Sequence, residues 1–359
     1  MNSQNQNGRS GVLLTLVSIF GCLAATACSS ELTDASEGND TAVVKQKVAL
    51  HPLGVIKDDP ATISANRLVA ATPPGALPAS VDLSSQVPPP GDQESMGSCV
   101  GWAVGYATKS FHEAVEEGWS VATTNHRFSP SWIYNQVNGG VDRGTHVSTA
   151  MNLVASKGVD SIGAFPYVDG DFTTQPNAVS MRRAARFPAQ SWYTLAVSET
   201  EIKKVLAGGN TVVIAVEVLP DFDQLNSTTN TVYDSDTGNS RGRHALAVIG
   251  YDNSRSAFRF INSWGTGFGD QGYGWLAYSF INNVKLVLDA YVMVDAANLA
   301  LVGDANDDGC VGDADYQILS IRYGYSVSNG ADARADFNHD GWVDGTDYML
   351  MTQHWGEGC

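Results

Sequence analysis

Positive charge is scarce in this chain. Lys and Arg total 21 against 38 Asp and Glu, giving a net charge of −17 and a pI of about 4.6. A surface of that sign repels a phosphate backbone, which excludes nucleic-acid binding as the main task. The apolar stretch GVLLTLVSIFGCLAATA, residues 11–27, falls short of the ~20 residues a stable membrane span needs. Cysteine is rare, five in 359 residues, so each one asks for a reason. What is plentiful is apolar material. At 43% it supports a sizeable core and excludes wholesale disorder.

The short apolar stretch follows Arg9 and ends in Ala25-Thr26-Ala27 before Cys28, the pattern of an export signal. Small residues ahead of a cysteine resemble a bacterial lipobox, with Cys28 as the lipidated N-terminus. Ordinary secretion with cleavage near Ala27 is the alternative. Either route leads out of the cytoplasm, to the cell surface or outer membrane as a lipoprotein, otherwise to the medium. Both routes permit disulfides. Residues 28–78 are polar and then Pro/Ala-rich, and read as a tether or short pro-segment. Residues 79–296 are rich in Trp, Tyr and Gly. Residues 299–359 are acidic, with ten of the aspartates against Arg322 and Arg334 alone.

Cys99 stands at the head of a helical pattern, CVGWAVGYATKSFHEA. A thiol there lies near unpaired backbone N–H groups and the positive end of the helix dipole, which favour a thiolate. HALAVIGYD and AFRFINSW read as two strands of an antiparallel hairpin turning about Asn253. Partners then have numbers summing to 506, so Phe258 faces Val248, Phe260 faces Leu246 and Asn262 faces His244. This gives a base with a polar orienter. Gln93 can donate its side-chain amide to an oxyanion beside the Cys99 backbone N–H.

QESMGSCVGWA, GRHALAVIGYD and INSWGTGFGDQGYGWLAY together resemble the signature blocks of the papain-like cysteine peptidases. The resemblance implies that Cys99 is the nucleophile, His244 the general base, Asn262 its orienter and Gln93 the oxyanion-hole glutamine. It also implies that Trp264 shields the His–Asn pair and that Gly144 and Thr145 bind substrate backbone. Met96 and Asp142 stand where relatives carry a disulfide. The implied fold is α+β, with a helical lobe carrying Cys99 and a sheet-rich lobe carrying His244 and Asn262. The implied substrates are proteins or peptides, and catalysis needs no cofactor. A non-catalytic adhesion or scaffold component with a relic peptidase fold is the alternative, and an acyl-transferring enzyme such as a transglutaminase is another.

In the tail, DANDDGCVGDAD and DFNHDGWVDGTD align at an offset of 32 residues. Asp304, Asn306, Asp308 and Asp315 recur as Asp336, Asn338, Asp340 and Asp347, at the first, third, fifth and twelfth positions of an EF-hand-type loop. Cys310 and Trp342 hold the seventh positions, where a backbone carbonyl is the ligand. All-oxygen donor sets favour Ca²⁺, one ion per loop. The duplication resembles a dockerin, a small EF-hand-like module that folds on calcium and docks to a cohesin-type scaffold protein. With Cys22 removed in the signal, Cys28 lipidated and Cys99 reserved for catalysis, Cys310 and Cys359 remain as a disulfide pair.

Overall fold

A computed structural model describes residues 50–73, 75–296, 301–306, 308–338 and 340–359; in it HALAVIGYD lies inside a seven-stranded antiparallel sheet. Cys22 and Cys28 lie outside the described residues. The strands are β1 (Ser80–Asp82), β2 (Ala189–Leu195), β3 (Val212–Val218), β4 (Gly242–Asp252), β5 (Ala257–Ile261), β6 (Tyr273–Ala277) and β7 (Val287–Asp295). They run in the order β2-β7-β3-β4-β5-β6, and β1 adds to the end of β4. From His244 to Tyr251, β4 is buried on both faces, which explains why it reads as a continuous apolar run rather than an alternation.

Two cores flank the sheet. On one face Ile214, Leu246, Val248, Phe258 and Phe260 pack with Phe222 and Tyr233. On the other, Val213, Ala215 and Ala245 meet the helices. The helices of this body are α1 (Pro60–Ala65), α2 (Cys99–Gly101), α3 (Ser110–Glu116), α4 (Pro130–Val137), α5 (Val147–Lys157), α6 (Ala178–Ala184), α7 (Glu199–Ala207) and α8 (Tyr278–Ile281). A π-helical stretch, Trp102–Lys109, joins α2 to α3 in one continuous rod. The rod lies close on α4. A Cβ on Gly101 would come within 2.5 Å of the Pro130 carbonyl oxygen, so glycine is required there.

The β4–β5 hairpin departs from the expected register. Val248 pairs with Phe260 and Ala247 with Ile261. A bulge follows, after which Tyr251 pairs with Phe258. The cause is a wider turn. Residues 253–256 close under the Asp252–Ala257 pair, with the Asp252 carboxylate accepting from Ser254 N at 2.8 Å and Ser256 at φ 51°. The register moves by an even number on the His244 side of the bulge. Leu246, Val248, Phe258 and Phe260 therefore still share a face, and His244 still meets Asn262.

From residue 50 the expected tether is packed into this body. Asp59 caps α1 by accepting from Ala61 N, and Pro60 starts the helix. Leu68 N donates to Thr194 O and Thr194 N to Asn66 O, both at 2.9 Å.

The tail contains α9 (Asp313–Ile321), α10 (Gly345–Gln353) and a two-stranded ladder of β8 (Tyr325–Ser326) and β9 (Trp342–Val343). Its core is small: Val311, Leu319, Ala331, Ala335, Val343 and Met351. A Cys310–Cys359 disulfide ties its ends together.

Candidate active site and calcium loops

Cys99 opens the rod and is fully buried. The first residues of β4 run beside it, where the Ala245 backbone pulls its pKa down. One residue earlier on β4, His244 Nε2 is 2.7 Å from Asn262 Oδ1, just beyond the end of β5. Trp264 covers this pair, with its ring 4.8 Å from the His244 ring. His244 Nδ1 is buried with no hydrogen-bond partner. With Nε2–H donated to asparagine, Nδ1 is the nitrogen left to exchange a proton.

The chain's own residues 51–58 cross this site. The Gly54 backbone also pulls the Cys99 pKa down. Thr145 N donates to Gly54 O and Ile56 N to Thr145 O, both at 2.9 Å, while Val55 N donates to Arg243 O at 3.1 Å. The segment thus pairs by main chain with both walls. Gly144 has φ 84°, and a Cβ there would lie 2.0 Å from Gly54 O. Upstream, His51 stacks on Trp264 at 5.3 Å and bonds Asp92 at 2.9 Å. Downstream, Asp58 is 5% exposed and accepts from Ser148 N (3.1 Å), Ser148 Oγ and Tyr291 OH (2.7 Å). His146, the N-cap of α5, makes no side-chain cap. Asp58 therefore caps α5 from a distant part of the sequence.

Gly144 and Thr145 thus lie against the backbone of the chain's own residues 54–56, and Trp264 lies against the rings of His244 and His51. Gln93 is engaged. Its Nε2 donates to Pro52 O (2.9 Å) and Met96 O (2.8 Å), and its Oε1 accepts from Ser263 Oγ (2.7 Å). The amide does reach a carbonyl oxygen, one that belongs to segment 51–58. Asp142 takes over the tie of the absent disulfide, accepting from Gly97 N at 2.9 Å and from Tyr134 OH.

The expected thiolate is not favoured in this covered site. Burial pushes the Cys99 thiol up to about 11, overriding the backbone N–H groups that pull it down. Burial holds His244 down to about 4, with Asn262 opposing. Thiol and neutral imidazole result. The helix terminus was legible from sequence, but the desolvation imposed by a segment forty residues upstream was not.

Each tail loop folds around its carboxylates in the same way. Asp304 Oδ1 accepts from Asp308 N (3.2 Å) and Oδ2 from Gly309 N (2.9 Å); Asp336 Oδ1 accepts from Asp340 N (3.1 Å) and Oδ2 from Gly341 N (2.9 Å). Asp315 and Asp347 are buried, and their oxygens accept from backbone N–H groups at 2.7–3.2 Å. Among the described residues no ammonium or guanidinium pairs with either of these two, and buried carboxylates beside asparagine amide oxygens fit a hard divalent cation. A second meeting of carboxylates, Glu113, Glu116 and Asp295, is different, because Lys109 Nζ bonds both Glu113 and Asp295.

A helix-borne cysteine beside a sheet-borne histidine–asparagine pair, across two lobes, defines a papain-like cysteine peptidase. The chain belongs to the papain family: the profile described as papain family cysteine protease matches residues 77–294. The dockerin type I domain matches residues 302–354. An uncharacterised peptidase C1-like protein of Acanthamoeba polyphaga mimivirus is 23% identical over 68% of this chain and 83% of its own length. Mouse cathepsin K is 28% identical over 37% of this chain, and the match spans only 40% of that relative. Among solved structures, xylellain, a cysteine protease from Xylella fastidiosa, aligns with a TM-score of 0.59 at 25% identity, over 68% of this chain and 96% of that one. Procathepsin L 3 of Tenebrio molitor shares the fold at a TM-score of 0.52 and 22% identity, over 64% of this chain and 74% of that one.

Proposed function

We propose that the chain is an exported cysteine endopeptidase, made latent by its own residues 51–58. The observation that carries this reading is the His244–Asn262 bond beside Cys99 at the head of a helix. Once the segment leaves, water returns, the thiol loses its desolvation penalty and His244 Nδ1 takes its proton. The thiolate attacks a peptide carbonyl carbon, and the carbonyl oxygen becomes an oxyanion. Gln93 Nε2, relieved of Pro52 O, and the Cys99 N–H receive that charge. Imidazolium protonates the leaving amine as the C–N bond breaks, leaving a thioester. Water, deprotonated by His244, then releases the acid.

Two features extend the reading. The run before Cys28 supports export with a lipid on that cysteine, or secretion. The tail supports docking to a cohesin-type partner. Asp304, Asn306, Asp308, Asp315 and their repeats would hold Ca²⁺, which neutralises carboxylates that otherwise repel.

Asn262→Ala tests the site. Turnover of a peptide substrate is expected to fall by about 10²-fold without vanishing, because asparagine orients the base and moves no proton. Wild-type turnover would remove Asn262 from the site. Cys28→Ala tests the anchor. Fractionation should find the variant soluble and the parent with membranes, and equal membrane association would favour plain secretion.

A further inference from the structure

The two tail loops hold their first carboxylates by the same two backbone bonds, yet their surroundings differ. Loop 304–315 lies against the peptidase body. Gly309 packs so close on α6 that a Cβ there would come within 2.7 Å of Arg182 Cβ. Gly341, its equivalent in loop 336–347, faces open space. Just beyond α6, Arg186 Nη1 lies 3.3 Å from Asp304 Oδ2, with the two side chains 15% and 0% exposed. A cavity of about 400 Å³ opens along this seam, lined in part by Arg183, Arg186, Arg334, Asp160, Asn306 and Asp308. Arg183 is held by Asp160 at 2.8 Å and Arg334 bonds Asp332 at 2.6 Å, while Arg186 is paired with the first carboxylate of the loop. Among the described residues, no Lys or Arg pairs with Asp336 or Asp340.

We propose that Arg186 is a resident counter-ion of the first loop: it neutralises Asp304, opposes a cation there, and couples loading of that loop to the seam between the two modules. The inference rests on the calcium reading of the tail. Orientation is not what Arg186 contributes. Asp336 receives the same two backbone N–H bonds as Asp304 and is placed as well without an arginine. What remains is charge. A guanidinium on the outer oxygen of a ligand carboxylate lowers the field that draws a divalent ion, and in this half-buried seam solvent screens it weakly. Coupling is reciprocal, so calcium in the first loop weakens the Arg186 contact by the factor by which Arg186 weakens calcium. The second loop is untouched, and the two sites are unequal although their ligand sets are the same.

Calorimetric titration of the full chain with Ca²⁺ tests this. The parent should show two binding steps. Arg186→Gln should tighten one of them by roughly tenfold and leave the other in place. Arg186→Lys, which keeps the charge, should behave as the parent and so separates charge from folding. In an Asp304→Ala chain, Arg186→Gln should change nothing. If neither step moves, if both move together, or if the step weakens, the inference is overturned. A parent chain that binds no Ca²⁺ would instead overturn the calcium reading itself.

Discussion

Asp289 is the residue whose ionisation bears most directly on segment 51–58. It is buried on β7 near Asp58, and its carboxyl is pushed up to about 6. Burial is the main cause and Asp58 adds to it, while Lys57 and Arg67 pull the other way. In the fold Asp289 keeps its proton up to about pH 6, and unfolded only to about pH 4. A raised folded pKa means that the stabilising contribution is present at low pH and is lost as pH rises through the folded value. Asp289→Asn should therefore melt like the parent near pH 4 and at a higher temperature above pH 6. A melting difference that is the same at both pH values would show that Asp289 does not ionise against Asp58. The thiol, imidazole and amide of the proposed site were each legible in the sequence, because three short blocks fix their residue types and spacing. Their protonation states were not, since burial depends on what lies above them.

Segment 51–58 is the element that sequence reading missed. Its grip on the cleft is main-chain pairing at Gly54, Val55 and Ile56, which leaves little side-chain pattern to read beyond a glycine at 54, where a Cβ would lie 1.7 Å from Gly97 O. One signal was present: Asp59-Pro60 is a helix start inside a presumed tether. Asp58 is the side chain that seats the segment, and its loss strands Ser148 N and Tyr291 OH without their acceptor. Each buried group so stranded costs about 1–3 kcal/mol. Asp58→Ala should thus weaken the hold by roughly tenfold or more, and raise the initial rate of the unprocessed chain on a small fluorogenic peptide. An unchanged rate in a variant that stays folded would mean that the segment is held elsewhere. The hairpin carries a related lesson. The pairing of β4 with β5 placed His244 with Asn262, but the bulge between Val248 and Gly250 and the wider turn were not legible, the turn resting on local side-chain bonds between Asp252 and Ser254.

At the scale of the whole molecule, two bodies of different physics share one chain. The peptidase holds its fold with aromatic and aliphatic layers on both faces of a sheet. The described tail packs a core of only six apolar residues beside a disulfide and two acidic loops, so the covalent tie adds what the core does not, as the proposed cation would. The acidity that excluded nucleic acid is concentrated where these loops lie, and the peptidase meets the first of them with Arg186. That Cys99 carries peptide hydrolysis, in a site the chain covers with its own backbone, is the proposal on which the rest depends. Its most direct test is the hydrolysis rate of a fluorogenic peptide library by the Asp58→Ala chain, with and without Cys99→Ala. Clear turnover is expected in the first and none above background in the second, with both folded. Turnover that survives Cys99→Ala to within tenfold would contradict it.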